Sequence, residues 1–259
     1  MATRHRYDRQ AETYDATRAA GPSVLGPVLE ALAGAPGPEL LDVGGGTGNY
    51  AQALLAHGFS PTVLDYNEAM LARARAKGLP VLQGDAAALP FAGETWDAVM
   101  MISMLHHVTD WAGALREAVR VLRPGGRLAV MGWAREHVEE VGWIHEYFPS
   151  TRPWMVEQHP GMRELLALLP GARVLPVRFD DSTDLSLGAL QRRPEQLLDP
   201  ELRRQTSYFE RLADSEPAEL AAGLERLQRD LAAGRRPQEE RAEARARLGD
   251  AGVLAYRKR

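Results

Sequence analysis

The chain has no cysteine among its 259 residues, so disulfides, thiolate metal sites and cysteine nucleophiles are excluded. No apolar run approaches the roughly 20 residues that a membrane span needs, and the first residues, Met1-Ala-Thr-Arg-His-Arg-Tyr-Asp8, are polar. The plain expectation is a cytoplasmic protein. A basic excess is missing too: 31 Lys and Arg stand against 35 Asp and Glu, for a net charge of −4. With no basic stripe interleaved with aromatics, nucleic acid is not an expected partner. Aromatic residues are scarce at 7%, while 45% hydrophobic and 25% charged residues are ordinary for a globular chain. The length admits one large domain, or one domain carrying insertions.

What is present in force is glycine at one place. Leu40-Leu-Asp-Val-Gly-Gly-Gly-Thr-Gly48 runs from a β-prone apolar stretch into Tyr50–His57, which has helical character. Strand, tight turn and helix start form the point where an α/β sheet brings its backbone against a nucleotide-like ligand. Glycine is suited to it, because it accepts positive φ and leaves room for ligand atoms. The spacing, Gly44-x-Gly46-x-Gly48, departs from the dinucleotide pattern, since Asn49 stands where a third glycine would be.

From Glu39 onward, short apolar runs alternate with amphipathic segments. Strands are expected near 39–44, 61–66, 80–84, 96–102 and 127–133, with helices near 47–57, 67–77 and 110–122 between them. Asn67 and Asp110 read as helix N-caps and Gly78 as a helix stop. Pro124-Gly125-Gly126 reads as a turn. Such alternation gives a parallel sheet covered on both faces. The rhythm breaks at 134–158, which holds Trp143, Tyr147, Phe148 and Trp154. These four either line an acceptor pocket or pack the segment onto the sheet. A short helix over 162–169 and a strand over 173–179 follow, and then a helical stretch over 186–247. Within it Asp199-Pro200 and Ser215-Glu216-Pro217 read as helix starts, and Leu220, Leu224, Leu227 and Leu231 form one apolar stripe. The final residues from Gly252 read as a strand.

Three chemical features fall at the carboxyl ends of strands, where such sheets hold ligands. Asp65 ends the second strand and can accept both hydroxyls of a ribose. Gly84-Asp85-Ala86 ends the third and suits an adenine edge. Met101-Ile102-Ser103 ends the fourth and leads into Leu105-His106-His107-Val108. Asp180, Asp181 and Asp184 read as a solvated turn. His137, Glu139, His145, Glu146 and His159 lack the spacing of a zinc helix, so no metal is expected.

Taken in order, Leu40–Gly48, Val63-Leu-Asp65, Gly84-Asp-Ala-Ala-Ala-Leu-Pro-Phe91, Trp96-Asp97, Leu105-His-His-Val108 and Leu122-Arg-Pro-Gly-Gly-Arg-Leu128 resemble the successive motifs of class I S-adenosylmethionine (SAM)-dependent methyltransferases. The likeness is to the small-molecule, ubiquinone/menaquinone methyltransferase-like branch and covers about residues 5–133. It implies a Rossmann-like α/β fold: a seven-stranded, mostly parallel sheet with an antiparallel last strand, Val253–Arg257 against Arg173–Phe179, plus helical lid insertions. The implied division is an N-terminal lid segment (1–38), a SAM-binding core (39–133), an aromatic-rich insertion (134–158), a continuation of the core (159–185), a helical lid (186–247) and the last core strand (248–259).

The resemblance also implies roles. Asp42, Gly44, Gly46 and Gly48 would shape the loop around the methionine part of SAM. Asp65 would take the ribose hydroxyls, with Tyr66 and Met70 lining the adenosine. Asp85 and the Ala86 amide would meet the adenine, the Ile102 backbone the methionine amine, and Tyr14 and Arg18 would close over the carboxylate end. Gly45 departs from the family, many of whose members carry another small or polar residue there. SAM presents an electrophilic methyl, so the protein need only align a nucleophile and, where required, remove its proton. His106 is the better candidate base; His107 suits a cap or packing role more readily. The expected activity is methyl transfer from SAM to a small apolar or aromatic acceptor, with S-adenosylhomocysteine as product and oligomeric state open. A SAM-binding protein without transferase activity, or an NAD(P)-dependent oxidoreductase, are the alternatives.

Overall fold

A computed structural model describes residue 15, residue 18, residues 20–180 and residues 185–259. Among the described residues, seven strands form one sheet in the order β3-β2-β1-β4-β5-β7-β6. These are β1 (Glu39–Val43), β2 (Ser60–Asp65), β3 (Val81–Gln83), β4 (Trp96–Ile102), β5 (Leu122–Gly132), β6 (Arg173–Val177) and β7 (Ala251–Arg257). The first five run parallel. Strand β7 slots antiparallel between β5 and β6, so the expected pair with 173–179 is formed, and a second pair with β5 joins it.

The helices are α1 (Pro22–Leu32), α2 (Asn49–Leu55), α3 (Glu68–Ala76), α4 (Trp111–Val121), α5 (Thr151–Gln158), α6 (Met162–Leu168), α7 (Leu187–Gln191), α8 (Pro200–Arg203), α9 (Ser207–Ser215), α10 (Pro217–Ala232) and α11 (Ala242–Leu248). Their starts follow from local chemistry. Asn67 Oδ1 accepts from the Met70 amide at 3.0 Å, and Asp110 Oδ1 from Gly113 at 2.8 Å, both satisfying first-turn donors. Asp199 caps Pro200 as expected, through the Glu201 amide at 2.8 Å. Ser215 is different: it ends α9, and α10 starts at Pro217 with no side-chain cap. The Pro124-Gly125-Gly126 turn is likewise absorbed into β5. Leu122 already pairs with Trp96, and the register shift before Ala98 takes up the slack.

Alternate strand residues point to opposite faces. Leu40 and Met100 join α1, α2 and α3 in one buried cluster, while Leu41, Val43 and Val99 join α4 and α6 in another. At about 1.5–3 kcal/mol per buried side chain, these two layers fix the sheet. A third cluster is separate. Trp143, Tyr147 and Phe148 are buried against Tyr208, Phe209 and Leu212 of α9 and Leu227 of α10. Phe148 meets Phe209 edge-on at 5.5 Å, and Tyr208 meets Phe209 at 4.9 Å. The Leu220–Leu231 stripe faces this cluster. Polar ties complete it: Tyr147 donates to Asp230 at 2.8 Å, and Arg235 bridges Asp230, Glu146 and Glu240. These aromatics pack, but against α9 and α10 rather than onto the sheet.

Among the described residues, no helix is long and apolar enough to cross a membrane.

Gly223 tests the second core. Alanine in a helix interior ordinarily gains about 0.5–1 kcal/mol over glycine. Here a Cβ would lie 2.3 Å from Phe148 Cε1 and 2.6 Å from the Tyr147 carbonyl. Gly223→Ala is therefore expected to lower unfolding stability by about 1–3 kcal/mol in a urea titration. An unchanged or raised midpoint would contradict this packing.

Candidate functional site

The strand order reverses between β1, which has β2 on one side, and β4 on its other side. Such a switch point opens a crevice beyond the carboxyl ends of the strands. The glycine turn leaves β1 there, and Met104, after β4, packs against it: a Cβ on Gly44 would lie 2.9 Å from Met104 Cβ. Gly44, Gly46 and Gly48 have φ of 68°, 56° and 74°, values that favour glycine. Their surroundings differ. Positions 44 and 48 face packed side chains, Met104 and Leu79, whereas a Cβ at 46 would meet only Met70 Sδ at 4.0 Å. The turn is thus packed at both ends and open in its middle, a cradle for ligand atoms.

Two carboxylates lie beneath this cradle. Asp65 is satisfied: Oδ2 accepts from the Gly46 amide at 2.9 Å and Oδ1 from the Asn67 amide at 2.9 Å. Burial raises its pKa, and these amide donors pull against that. Asp42 is not satisfied. It is 1% exposed, and neither carboxylate oxygen has a hydrogen-bond partner. Burial, with the Asp65 charge second, pushes its pKa up to about 8. The Gly45 departure has a cause here. A Cβ at position 45 would lie 2.4 Å from Asp42 Oδ2, so glycine allows the carboxylate to lie directly under the turn.

Of the remaining expected residues, Tyr66 follows β2, Asp85 and Ala86 follow β3, and Ile102 ends β4. Tyr66 is exposed and Met70 buried. Asp85 is exposed and accepts from the Ala87 amide at 2.9 Å, while Ala86 is buried. Ile102 is half-buried, and the next residue, Ser103, has φ 52°. The Arg18 guanidinium donates to the Gln205 carbonyl at 2.8 Å, and its own carbonyl accepts from Asn49 Nδ2 at 2.6 Å. Lys77 adds a tie the sequence did not signal, with Nζ on Asp15 at 2.8 Å and on the Thr47 carbonyl at 2.9 Å. Tyr14, Asp181 and Asp184 lie outside the described residues. Asp180 pairs with Arg245.

His106 and His107 occupy a 3₁₀ turn beyond β4, Leu105–His107. Their ring centroids are 3.8 Å apart, and His106 also stacks on His159 at 5.2 Å and 15°. His159 is buried, touches Trp133 at 5.8 Å, and donates from Nδ1 to the Met155 carbonyl at 2.6 Å, which leaves Nε2 as its acceptor nitrogen. Burial, reinforced by neighbouring imidazoles, holds His106 well below the ordinary value and brings His107 to about 4. His159 is likewise lowered to about 4, by burial first. All three are neutral at pH 7. Among the described residues, no group of three or more His, Asp or Glu is arranged to hold a metal ion. His159 was readable only as a failed zinc spacing, because its place beside His106 is set by the tertiary path of 134–161 and by no local periodicity.

A parallel sheet with a seventh antiparallel strand, a glycine turn at its switch point and acidic side chains at successive strand ends defines a Rossmann-like fold of the class I methyltransferase type. Residues 41–130 match the model of the methyltransferase domain family. The ubiquinone/menaquinone biosynthesis C-methyltransferase UbiE of Paracoccus denitrificans is 38% identical over 131 residues, covering 47% of this chain and 52% of that protein. The chain therefore spans about half the length of the curated relatives it matches. Among solved structures, a protein of Anabaena variabilis assigned as a methyltransferase from an antibiotic biosynthesis pathway has a TM-score of 0.73 at 22% identity, covering 93% of this chain and 96% of that one. That likeness is one of fold. A SAM-dependent methyltransferase of Thermotoga maritima has a TM-score of 0.55 at 27% identity, covering 70% of this chain and 89% of its own.

The Asp42 geometry has a stability consequence. Its folded pKa, about 8, lies above the ordinary 3.8, so the folded chain binds more protons than the unfolded chain between those values. Stability from this group is therefore present at low pH and lost as pH rises through that window. Asp42→Asn should raise the thermal unfolding temperature of the ligand-free protein at pH 8 and have little effect near pH 4. A lower unfolding temperature at pH 8 would show that the carboxylate is paired in solution.

Proposed function

We propose that this chain is a SAM-dependent methyltransferase acting on a small-molecule acceptor. The observation that carries this reading is Asp42, a carboxylate buried without a partner beneath the open middle of the glycine turn. A buried carboxyl with no donor ionises readily only beside a cation, and the ammonium on the methionine part of SAM is one. A pyrophosphate offers Asp42 no such cation and would meet the charge of Asp65, which counts against a nicotinamide dinucleotide.

The family resemblance assigns the other contacts. Gly44, Gly46 and Gly48 shape the turn around the methionine part. Asp65 takes the ribose hydroxyls, since each of its oxygens keeps a second lone pair beside its amide donor. Tyr66 and Met70 border the adenosine, Asp85 and the Ala86 amide read the adenine edge, and the Ile102 backbone meets the amine. Arg18, with Tyr14, belongs to a cover over the carboxylate end, joined by 134–158 and 186–247 on the acceptor side. Such a cover excludes water and selects the acceptor.

SAM supplies an electrophilic methyl group. The chain's own contribution is alignment and proton handling. His106, uncharged at neutral pH, accepts a proton from the acceptor, and His107 packs beside it. An imidazole of such low basicity serves best where the acceptor proton is acidic or leaves as the new bond forms. A hydroxylated ring of quinol type meets that requirement, and the similar proteins include a ubiquinone/menaquinone biosynthesis C-methyltransferase and a demethylmenaquinone methyltransferase.

Calorimetric titration with SAM, S-adenosylhomocysteine and NADH separates the readings. Both adenosyl ligands should bind, and NADH should not; the reverse pattern would end this proposal. Asp65→Ala should weaken S-adenosylhomocysteine binding by about 1–3 kcal/mol, and unchanged affinity would remove Asp65 from the site. With labelled SAM and a panel of hydroquinones and phenols, His106→Ala should lower turnover while leaving SAM affinity nearly unchanged. Binding without transfer to any acceptor would favour a SAM-binding protein that lacks transferase activity.

A further inference from the structure

Asp42 raises a question that cofactor contacts alone do not answer: how a carboxylate with no donor is tolerated in the core of the ligand-free protein. Its surroundings are fully specified. Strand β4 sets Met100 opposite it in register. Strand β2 contributes Asp65, whose charge is of the same sign. The turn contributes the Gly45 backbone directly above. Lys77 touches the turn, but its ammonium is committed to Asp15, the Thr47 carbonyl and Asn49. No cation among the described residues pairs with Asp42.

Two carboxylates of like charge at one buried turn do not both ionise readily. Asp65 has two amide donors to stabilise its anion, and Asp42 has none. The pair is therefore asymmetric, and the proton belongs on Asp42.

We infer that Asp42 holds a proton in the ligand-free protein and gives it up when an ammonium-bearing nucleoside docks, so that cofactor loading releases one proton. This rests on the reading of the turn as a SAM site. The balance is simple. The Asp42 carboxyl O–H breaks, its proton passes to solvent, and the resulting carboxylate pairs with the ammonium of the ligand; no other bond changes. The ionised state is held at about pH 8 and above in the ligand-free protein, so binding below that pH must expel the proton. Two consequences follow. Loading is favoured by rising pH, and a nucleotide without an ammonium cannot drive the exchange. The turn thereby selects by charge as well as by shape.

The test is calorimetric titration of S-adenosylhomocysteine into the full chain at pH 6.5, in two buffers of different ionisation enthalpy. This ligand carries the ammonium and no sulfonium, so the amine is probed by itself. The observed heats should differ by the amount that about one proton released to buffer requires, and the difference should vanish near pH 9. Affinity should tighten about tenfold per pH unit as pH rises toward 8 and then level off. Asp42→Asn should abolish the buffer dependence at pH 6.5. Because that variant is expected to bind weakly, difference infrared spectroscopy on the unmodified protein provides a second readout. Ligand addition at pH 6.5 should remove one protonated-carboxyl band. Equal heats in both buffers, a persisting band, or the same proton release in Asp42→Asn would each overturn the inference while leaving the SAM site intact. A complete lack of S-adenosylhomocysteine binding at every pH would instead overturn the proposed function, and this inference with it.

Discussion

The hydrogen bond from the Gly46 amide to Asp65 Oδ2 is the contact on which the site depends. It joins the turn after β1 to the end of β2, the neighbouring strand, and so fixes the height of the glycine backbone over the sheet. The other oxygen of Asp65 holds the Asn67 amide, and Asn67 in turn caps α3. One carboxylate therefore sets the turn, the strand end and the following helix together. With Asp65 committed in this way, Asp42 is left beneath the same turn with no donor of its own. The two carboxyls are therefore unequally supported, and the pocket's demand for a positive group follows from that imbalance.

The acceptor side is built by different means. The sheet core is mostly aliphatic, with Trp96 and Phe179 among its few buried aromatics, and a second small core of Trp143, Tyr147, Phe148, Tyr208 and Phe209 fixes 134–158 to the helices of 186–247. That choice leaves few aromatics to meet an acceptor. Trp133 is the exception, since it stands at the end of β5 against His159. The imidazoles beside it are kept neutral by burial and by one another. Charge on this side of the crevice is therefore low, in contrast to the acidic turn, and under the proposed function these halves would meet the uncharged acceptor and the cationic donor.

Much of this was legible in the sequence, and the reason is that strand ends and caps are local. The glycine spacing, Asp65 at the close of a β-prone run, and Asn67 and Asp110 as caps all depend on residues within a few positions of one another. The sheet followed from alternation, though the two-sided pairing of β7 did not, because a C-terminal strand carries no mark of its neighbours. What stayed hidden was tertiary. The partnerless state of Asp42 required knowing that Lys77 is engaged elsewhere and that Gly45 leaves the carboxylate in place. His159 required the path of a segment with no regular period. Arg18 donates to the Gln205 carbonyl, a contact between segments 187 residues apart that no local pattern encodes.

A crystal structure of the full chain with S-adenosylhomocysteine tests the central claim most directly. The account predicts the ligand ammonium within hydrogen-bond distance of Asp42, the turn lying over it through Gly46, and the ribose hydroxyls on Asp65. A ligand bound with its amine away from Asp42, or an Asp42 carboxylate satisfied by protein donors in the complex, would contradict it.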